Sequence, residues 1–554
     1  MSNKHDEGIA ALLGDEATAL GAIHAGISAG YGYPGTPSTE ILEYLIEKSE
    51  EKTGIEAFTA KWCSNEKTAL EAALGTSFAG KRSLVTMKHV GLNVAADPYM
   101  NAALLQINGG LVIAVADDPG MHSSQGEQDS RYFSSFSLSP CLEPRSQQEA
   151  YDMCREAFDV SEKYKVPVML RLATRLSHAR AAVRSSAPIG QNPLSKTKDK
   201  TGWILLPANS RKNYASLIEK QKDLGAWSSS NRVNKLEMEG RDAGFAVITS
   251  GLGGNYYEEN LDDFISHNGG KNPAHLHIGA YPIPYDSINK LCEKAEKVLV
   301  IEEGQPFIEE RLRGILPQKL TINGKLDGTL NRAGELDPDN VRKGLGLPQR
   351  AGVQGIKIPE LPGRPPQLCQ GCPHGDSYIT INKALEELGS GQGAPDSALT
   401  SDIGCYTLGA APPYSSIETC VCMGASVAMA RGAAEAGIKY AVAIIGDSTF
   451  LHSGVTALVD AVQSDVPMTL VILDNSIVAM TGCQETILPS DKLRDLIVGL
   501  GVKPEHVLEL EAKTQLIEEN TAKLKKEIEY RGLSVVIFQR ECIEAFRKRR
   551  KTGN

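Results

Sequence analysis

The sequence predicts a multi-domain α/β protein built on parallel sheets, and three observations predict it. Apolar runs of strand length alternate with stretches of helical period along most of the chain. Two of those runs, 440–445 and 468–473, end in Gly446-Asp447-Ser448 and Asp474-Asn475. The chain has 554 residues, 41% of them hydrophobic, more than one core accommodates, so about three domains are expected.

The elements follow in order. Residues 1–190 read as a first α/β domain, with helical periods at 14–28 and 65–79 and strand-like runs at 83–87, 110–116 and 166–172. Residues 191–240 carry many Ser, Lys and Asn with little periodicity and read as a linker. Short strands at 245–249, 275–278 and 297–301, separated by helical patterns, make 241–343 a second α/β domain. A Gly- and Pro-rich linker, 344–366, leads to a third domain, 367–554, which holds both motif-terminated runs. No internal repeat or long low-complexity tract interrupts this plan.

Composition excludes several classes of function. A net charge of −10 is unsuited to non-specific nucleic-acid binding, which needs a basic face. No apolar run reaches the roughly 18 residues of a membrane span. The first residues, Met-Ser-Asn-Lys-His-Asp-Glu-Gly, contain no apolar signal core, so the expected location is the cytoplasm. In that reducing compartment the eleven cysteines are expected to be thiols, metal ligands or redox groups.

Asp447 and Asn475 stand 28 positions apart, each just after an apolar run. That is the arrangement by which thiamine diphosphate (TPP) enzymes hold Mg²⁺. The ion takes near-octahedral oxygen donors at about 2.0–2.1 Å and keeps the diphosphate in its shell, so it needs donors at the carboxyl ends of neighbouring strands. A backbone carbonyl near Ile477 is the expected third protein ligand. Two ordinary strand-to-helix turns would also contain a Gly-Asp-Ser, but the second strand ending in Asn at this interval favours TPP. Cys369 and Cys372 form a Cys-x-x-Cys turn, and Cys405 and Cys542 follow. Four thiolates serve a 4Fe-4S cluster or structural zinc equally well. A shared domain with the Mg²⁺ motif favours the cluster, since electrons from TPP need an exit.

These motifs together resemble a known family. Cys369-Gln-Gly-Cys372-Pro-His374, Ser401-Asp-Ile-Gly404-Cys405-Tyr-Thr-Leu-Gly409, Thr419-Cys-Val-Cys-Met-Gly424-Ala425-Ser426, Gly446-Asp447-Ser448-Thr-Phe-Leu-His452 and Asp474-Asn475-Ser-Ile477-Val-Ala-Met-Thr-Gly482 resemble the large subunit of indolepyruvate:ferredoxin oxidoreductase. So do Tyr33-Pro-Gly-Thr36-Pro-Ser38, Thr86-Met-Lys-His89-Val-Gly-Leu-Asn93 and Asp117-Asp-Pro-Gly-Met-His122-Ser-Ser-Gln125, and the match spans almost the whole chain. The resemblance implies a TPP pyrimidine-binding domain at 1–190, a transketolase C-terminal-like domain at 241–343 and a diphosphate-binding domain at 367–554. It implies oxidative decarboxylation of a 2-oxoacid, with electrons passing through iron–sulfur chemistry and coenzyme A taking the acyl group.

Residue roles carry over by position. Glu66 matches the carboxylate that drives the TPP aminopyrimidine into its imino tautomer; a helix-start carboxylate is its structural alternative. Thr36 is expected near the substrate carboxylate, with His89, His122, His374 and His452 as proton donors or hydrogen-bond partners and Asn93 and Arg131 as weaker candidates. Gly404, Gly424, Ala425, Gly446 and Ser448 are expected to contact the cofactor. Cys420 and Cys422 read as small packing residues near it. The family also implies a smaller γ-type subunit, ferredoxin or another carrier, and a homodimer of this chain within a heterotetramer.

Two departures qualify the match. The family continues into a C-terminal ferredoxin-like domain, whereas this sequence stops soon after Cys542, so electrons are expected to leave a single proximal cluster for an external carrier or partner. Cys483 stands where the family usually has histidine or glycine, which leaves the oxoacid open, with an arylpyruvate such as indolepyruvate expected. The basic run 547–551 is a carrier-docking candidate or a solvated charge run. A non-oxidative TPP decarboxylase or carboligase, and a non-catalytic subunit whose cysteines hold zinc, are the alternatives.

Overall fold

The computed structural model describes residues 8–51, 57–196, 201–314, 319–350, 367–420 and 422–552, with the side chains of the last two left undescribed. The chain divides into two compact units, Met1–Ile356 and Lys357–Asn554.

The first unit contains a seven-stranded sheet in which Cys141–Leu142, Val168–Ala173, Leu111–Asp117, Ser83–Lys88, Ala29–Gly32 and Thr59–Trp62 run parallel in that spatial order. The short strand Ala280–Tyr281 closes its other edge antiparallel to Cys141–Leu142. Strands covered on both faces read as unbroken apolar runs, and Leu111–Asp117 and Ser83–Lys88 are buried at every position. Helices pack beside them because one stripe is apolar: Gln147–Tyr164 buries Ala150, Tyr151, Cys154, Ala157, Phe158 and Ser161. A second sheet, ordered Thr321–Asn323, Lys297–Ile301, Asp242–Ser250, Pro273–Ile278 and Leu236–Glu237, is parallel except for that last edge strand. The two larger apolar clusters of this unit draw side chains from both sheets, Leu142 with Val247 in one and Met169 with Ile278 in the other.

The segment 191–240 differs from its reading as a linker. Pro207–Ser230 is a 24-residue helix, opened by a proline at its first turn. It buries Asn213, Leu217, Leu224 and Ser228, a stripe one residue wide. So narrow a stripe, half of it polar, escapes a periodicity search. Residues 351–366 of the second expected linker lie outside the described residues.

In the second unit five parallel strands stand in the order Ser397–Ser401, Tyr440–Gly446, Met468–Asp474, Leu533–Gln539 and Val507–Glu511. Among the described residues no helix is long and apolar enough to cross a membrane.

Candidate cofactor and redox site

Tyr440–Gly446 and Met468–Asp474 are adjacent and parallel, with Gly446 opposite Leu473, so Asp447, Asp474 and Asn475 emerge side by side at the carboxyl edge. All three are buried. Burial, and then the charge of Asp474, push the Asp447 carboxyl well above its usual range. The Ser476 N–H bridges the pair, donating to Asp447 Oδ2 and Asp474 Oδ1 at 3.0 Å each. Asp474 Oδ2 has no partner among the described residues. Two facing buried carboxylates with an orphaned oxygen form a site that a divalent cation would neutralise, so this donor set fits Mg²⁺.

The glycines around it make room rather than bonds. A side chain at Gly446 would come within 2.6 Å of Tyr406 Cε1, and one at Gly404 within 2.8 Å of Cδ1 of the same ring. Tyr406 hydrogen-bonds through its hydroxyl to the buried Asp402, whose Oδ2 accepts the Ser426 N–H at 3.1 Å. Gly424, at φ +86, precedes the helix Ala425–Glu435, where a side chain would strike Ser453 Cβ at 2.5 Å. His452 is buried, and its Nδ1 meets Ser453 Oγ at 2.6 Å.

The cysteine motif is tied directly to this edge. Cys372 caps the helix Pro373–Glu387, which begins Pro373-His374. His374 is buried, its imidazole pulled down to about 4 by that burial, and its Nε2 lies 3.2 Å from Asn475 Nδ2. The Cys542 N–H donates to the Asn475 carbonyl at 3.3 Å. Burial raises the Cys405 thiol to about 12, and the charges of Cys372, Cys542, Cys369 and Cys483 add to the rise, so all five thiols lie within electrostatic reach. Among the described residues no three His, Cys, Asp or Glu side chains gather tightly enough to hold a single ion. Cys483, at φ +67, lies in the turn that joins the paired strands Ile477–Val478 and Gln484–Glu485. Cys420 and Cys422 are exposed, which corrects their reading as packing residues.

In the first unit Glu66 opens the helix Glu66–Phe78, capped by Asn65, and is buried. Its carboxylate fills the place of a missing side chain: a Cβ at Gly91 would come within 2.6 Å of Glu66 Cγ and 2.7 Å of Cδ. His89 is buried, its Nε2 3.0 Å from the Gly126 carbonyl and its Nδ1 without a partner among the described residues. Thr36 is half-buried, and its carbonyl accepts from Ser123 Oγ at 3.1 Å. His122 is exposed and pairs with Glu335 at 3.3 Å, while Asn93 is exposed and donates to Gln128 at 3.0 Å, so neither joins the buried group around Glu66. Arg131 lies in a buried ion network, 2.5 Å from Asp129 and 3.0 Å from Glu302, beside Arg171 at 2.6 Å from Asp117. Its surroundings are those of a residue that locks packing.

Sequence reasoning missed Asp474, Asp402 and Lys88. Each is a charged residue at or just beyond the end of an apolar strand, a signal available in the sequence.

A family model described as "Thiamine pyrophosphate enzyme, C-terminal TPP binding domain" matches residues 402–537, and one described as "Pyruvate flavodoxin/ferredoxin oxidoreductase, thiamine diP-bdg" matches 20–204. The chain is 36% identical to the indolepyruvate oxidoreductase subunit IorA of Archaeoglobus fulgidus, over 98% of this chain and 88% of that one. The chain belongs to the IorA family. It is 35% identical to the Thermococcus kodakarensis IorA, over 96% of this chain and 85% of the relative. As a member, it is a TPP-dependent 2-oxoacid oxidoreductase subunit with the α/β TPP-binding fold. The 2-oxoglutarate:ferredoxin oxidoreductase of Magnetococcus marinus, solved with 2-oxoglutarate, coenzyme A and succinyl-CoA, shares the fold at 16% identity and TM-score 0.50, over 62% of this chain and 67% of that one.

Proposed function

We propose that this chain catalyses oxidative decarboxylation of an arylpyruvate such as indolepyruvate to its acyl-CoA, and passes electrons through a 4Fe-4S cluster to ferredoxin or a partner subunit. The observation that carries this reading is the junction at Asn475: one residue borders the paired carboxylates, His374 of the cysteine motif and the backbone of Cys542.

Asp447, Asn475 and the Ile477 carbonyl would hold Mg²⁺. Gly404, Gly424, Ala425, Gly446 and Ser448 would line the diphosphate, and Glu66 would hold the aminopyrimidine edge. Bound TPP would supply the nucleophile and electron sink that a 2-oxoacid needs. The chain's own residues do the rest. Glu66, buried behind Gly91, would present its carboxyl to the cofactor edge. His374, neutral because buried, keeps Asn475 oriented without adding charge beside the metal. Tyr406, wedged between Gly404 and Gly446, excludes water from the strand ends. His89 offers a buried ring nitrogen, and Thr36 a hydroxyl, for substrate contact. His452 serves as a further hydrogen-bond partner.

Cys369, Cys372, Cys405 and Cys542 would ligate the cluster, which would supply a one-electron exit. The reading extends to a smaller γ-type subunit that helps to bind coenzyme A, to a second copy of this chain within a heterotetramer, and to the cytoplasm, where thiols stay reduced.

The test is anaerobic purification with the small subunit, followed by visible absorbance as indolepyruvate, TPP, Mg²⁺ and coenzyme A are added. Bleaching on substrate supports the reading. A cluster that never bleaches with a panel of 2-oxoacids refutes the redox role. Turnover without an acceptor or coenzyme A, in protein that holds zinc, establishes a decarboxylase or carboligase instead.

A further inference from the structure

Lys88 ends the buried strand Ser83–Lys88 and caps the helix His89–Val94, at the carboxyl edge of the parallel sheet where α/β proteins bind ligands. Its side chain is nearly covered, 9% exposed. Two of its three N–H donors are used, on the Ser123 carbonyl at 3.1 Å and Ser123 Oγ at 2.9 Å. Its ion-pair partner among the described residues, Asp118 Oδ2, is 4.0 Å away and already accepts the Ser123 N–H at 2.9 Å and Ser124 Oγ at 2.6 Å, while Oδ1 accepts Thr174 Oγ1 at 2.7 Å. Against burial, which raises it, those bonds and the Lys88 charge hold Asp118 at about 2, so it is a settled anion. The ammonium is therefore a buried cation with a donor to spare, and burial pulls it down to about 8. A second anion would relieve it.

The neighbours say where that anion would lie. Ser123, which holds Lys88, also donates to the Thr36 carbonyl, and a side chain at Gly35 would come within 3.2 Å of Lys88 Cβ. The Pro-Gly-Thr-Pro loop is thus laid against the lysine stem. Three residues on, Gly91 cradles Glu66. The carboxyl edge of the sheet thus brings together a buried ammonium, the Thr36 loop, the His89 ring and the carboxylate expected to face the cofactor.

We propose that Lys88 binds the carboxylate of the 2-oxoacid substrate. This rests on the function proposed above and names the residue that selects the acid class. Tying the ammonium to Ser123 fixes its position before substrate arrives, so ordering entropy is spent in folding rather than in binding. Because the carboxylate departs as CO₂, the contact belongs to ground-state binding, and its loss raises KM more than it lowers kcat.

The test uses the full chain with its partner subunit and compares wild type with Lys88→Met, Lys88→Gln and Lys88→Arg. Read-outs are KM and kcat for indolepyruvate, TPP affinity, and inhibition by an arylpropionate against its carboxamide. Loss of one charge-assisted contact predicts a KM raised roughly ten- to hundredfold in Lys88→Met and Lys88→Gln, kcat within a few-fold, and TPP affinity unchanged. The wild type's preference for carboxylate over carboxamide should vanish in both, and Lys88→Arg should restore most of it. If Lys88→Met loses TPP binding through misfolding, Lys88→Gln, which retains a donor for Ser123, decides. A wild-type KM or an intact carboxylate preference in the folded neutral variant overturns the proposal alone. So does a fall confined to kcat, which would make Lys88 a brace for the Asp118 loop. A wild-type enzyme that oxidises no 2-oxoacid overturns the functional reading and this proposal together.

Discussion

Replacing Gly91 by alanine tests the placement of Glu66 without touching its chemistry. The new methyl would stand within 2.6 Å of Glu66 Cγ and 2.7 Å of Cδ, where carbon atoms ordinarily rest about 3.5–4.0 Å apart, so the carboxylate has to retreat by about 1 Å. A misplacement of that size costs on the order of 100-fold in rate when the group must meet a fixed partner. Stability works the other way at first, because Gly91 lies inside the helix His89–Val94, where alanine is favoured over glycine by about 1 kcal/mol. The variant should therefore stay folded and bind TPP while kcat falls about 100-fold, measured as oxoacid-dependent dye reduction beside a TPP titration. Combined with Glu66→Gln it should add little to the loss from Glu66→Gln alone, since both act through one group. Wild-type kcat in Gly91→Ala, or full additivity in the double variant, would refute the argument that this glycine positions the acid.

Three further outcomes follow from the geometry. Cys542→Ser should remove iron and visible absorbance, while Ser at the exposed Cys420 leaves both; equal iron in the two would exclude Cys542 as a ligand. Asp447→Asn should weaken Mg²⁺-dependent TPP binding roughly 100-fold, and in EDTA the variant should melt above wild type because the buried Asp447–Asp474 repulsion is gone; a lower melting point in EDTA would contradict the paired-carboxylate argument. Glu303 is fully covered, and burial raises it from 4.5 to about 7. The native state keeps this proton after the unfolded chain releases it, so stability falls by up to about 3 kcal/mol as pH rises from 4.5 to 7 and levels off above. Glu303→Gln should flatten that part of the melting profile, and parallel profiles for the two proteins would show that Glu303 does not cause it.

The sequence by itself determined the class and the edges. Strand 297–301 forms as read, and the runs that end in Asp447 and Asp474-Asn475 become neighbouring parallel strands, because apolar period and strand-ending residues are local properties. The motifs' order along the chain likewise sufficed to recognise the TPP fold. Tertiary structure alone decided which of the chosen side chains meet. His122 and Asn93 share motifs with His89 yet lie on the surface, and Cys420, read as packed, is exposed, since a motif fixes spacing but not facing. Pro207–Ser230 became a helix because folding found a surface for a stripe too narrow to detect. Within each unit the contacts that build its candidate site join residues far apart in sequence: Glu66 with Gly91 and Ser123 with Thr36 and Lys88 in the first, His374 with Asn475 in the second. Such contacts depend on which strands pair and how closely backbones approach at glycines, and a linear pattern carries neither.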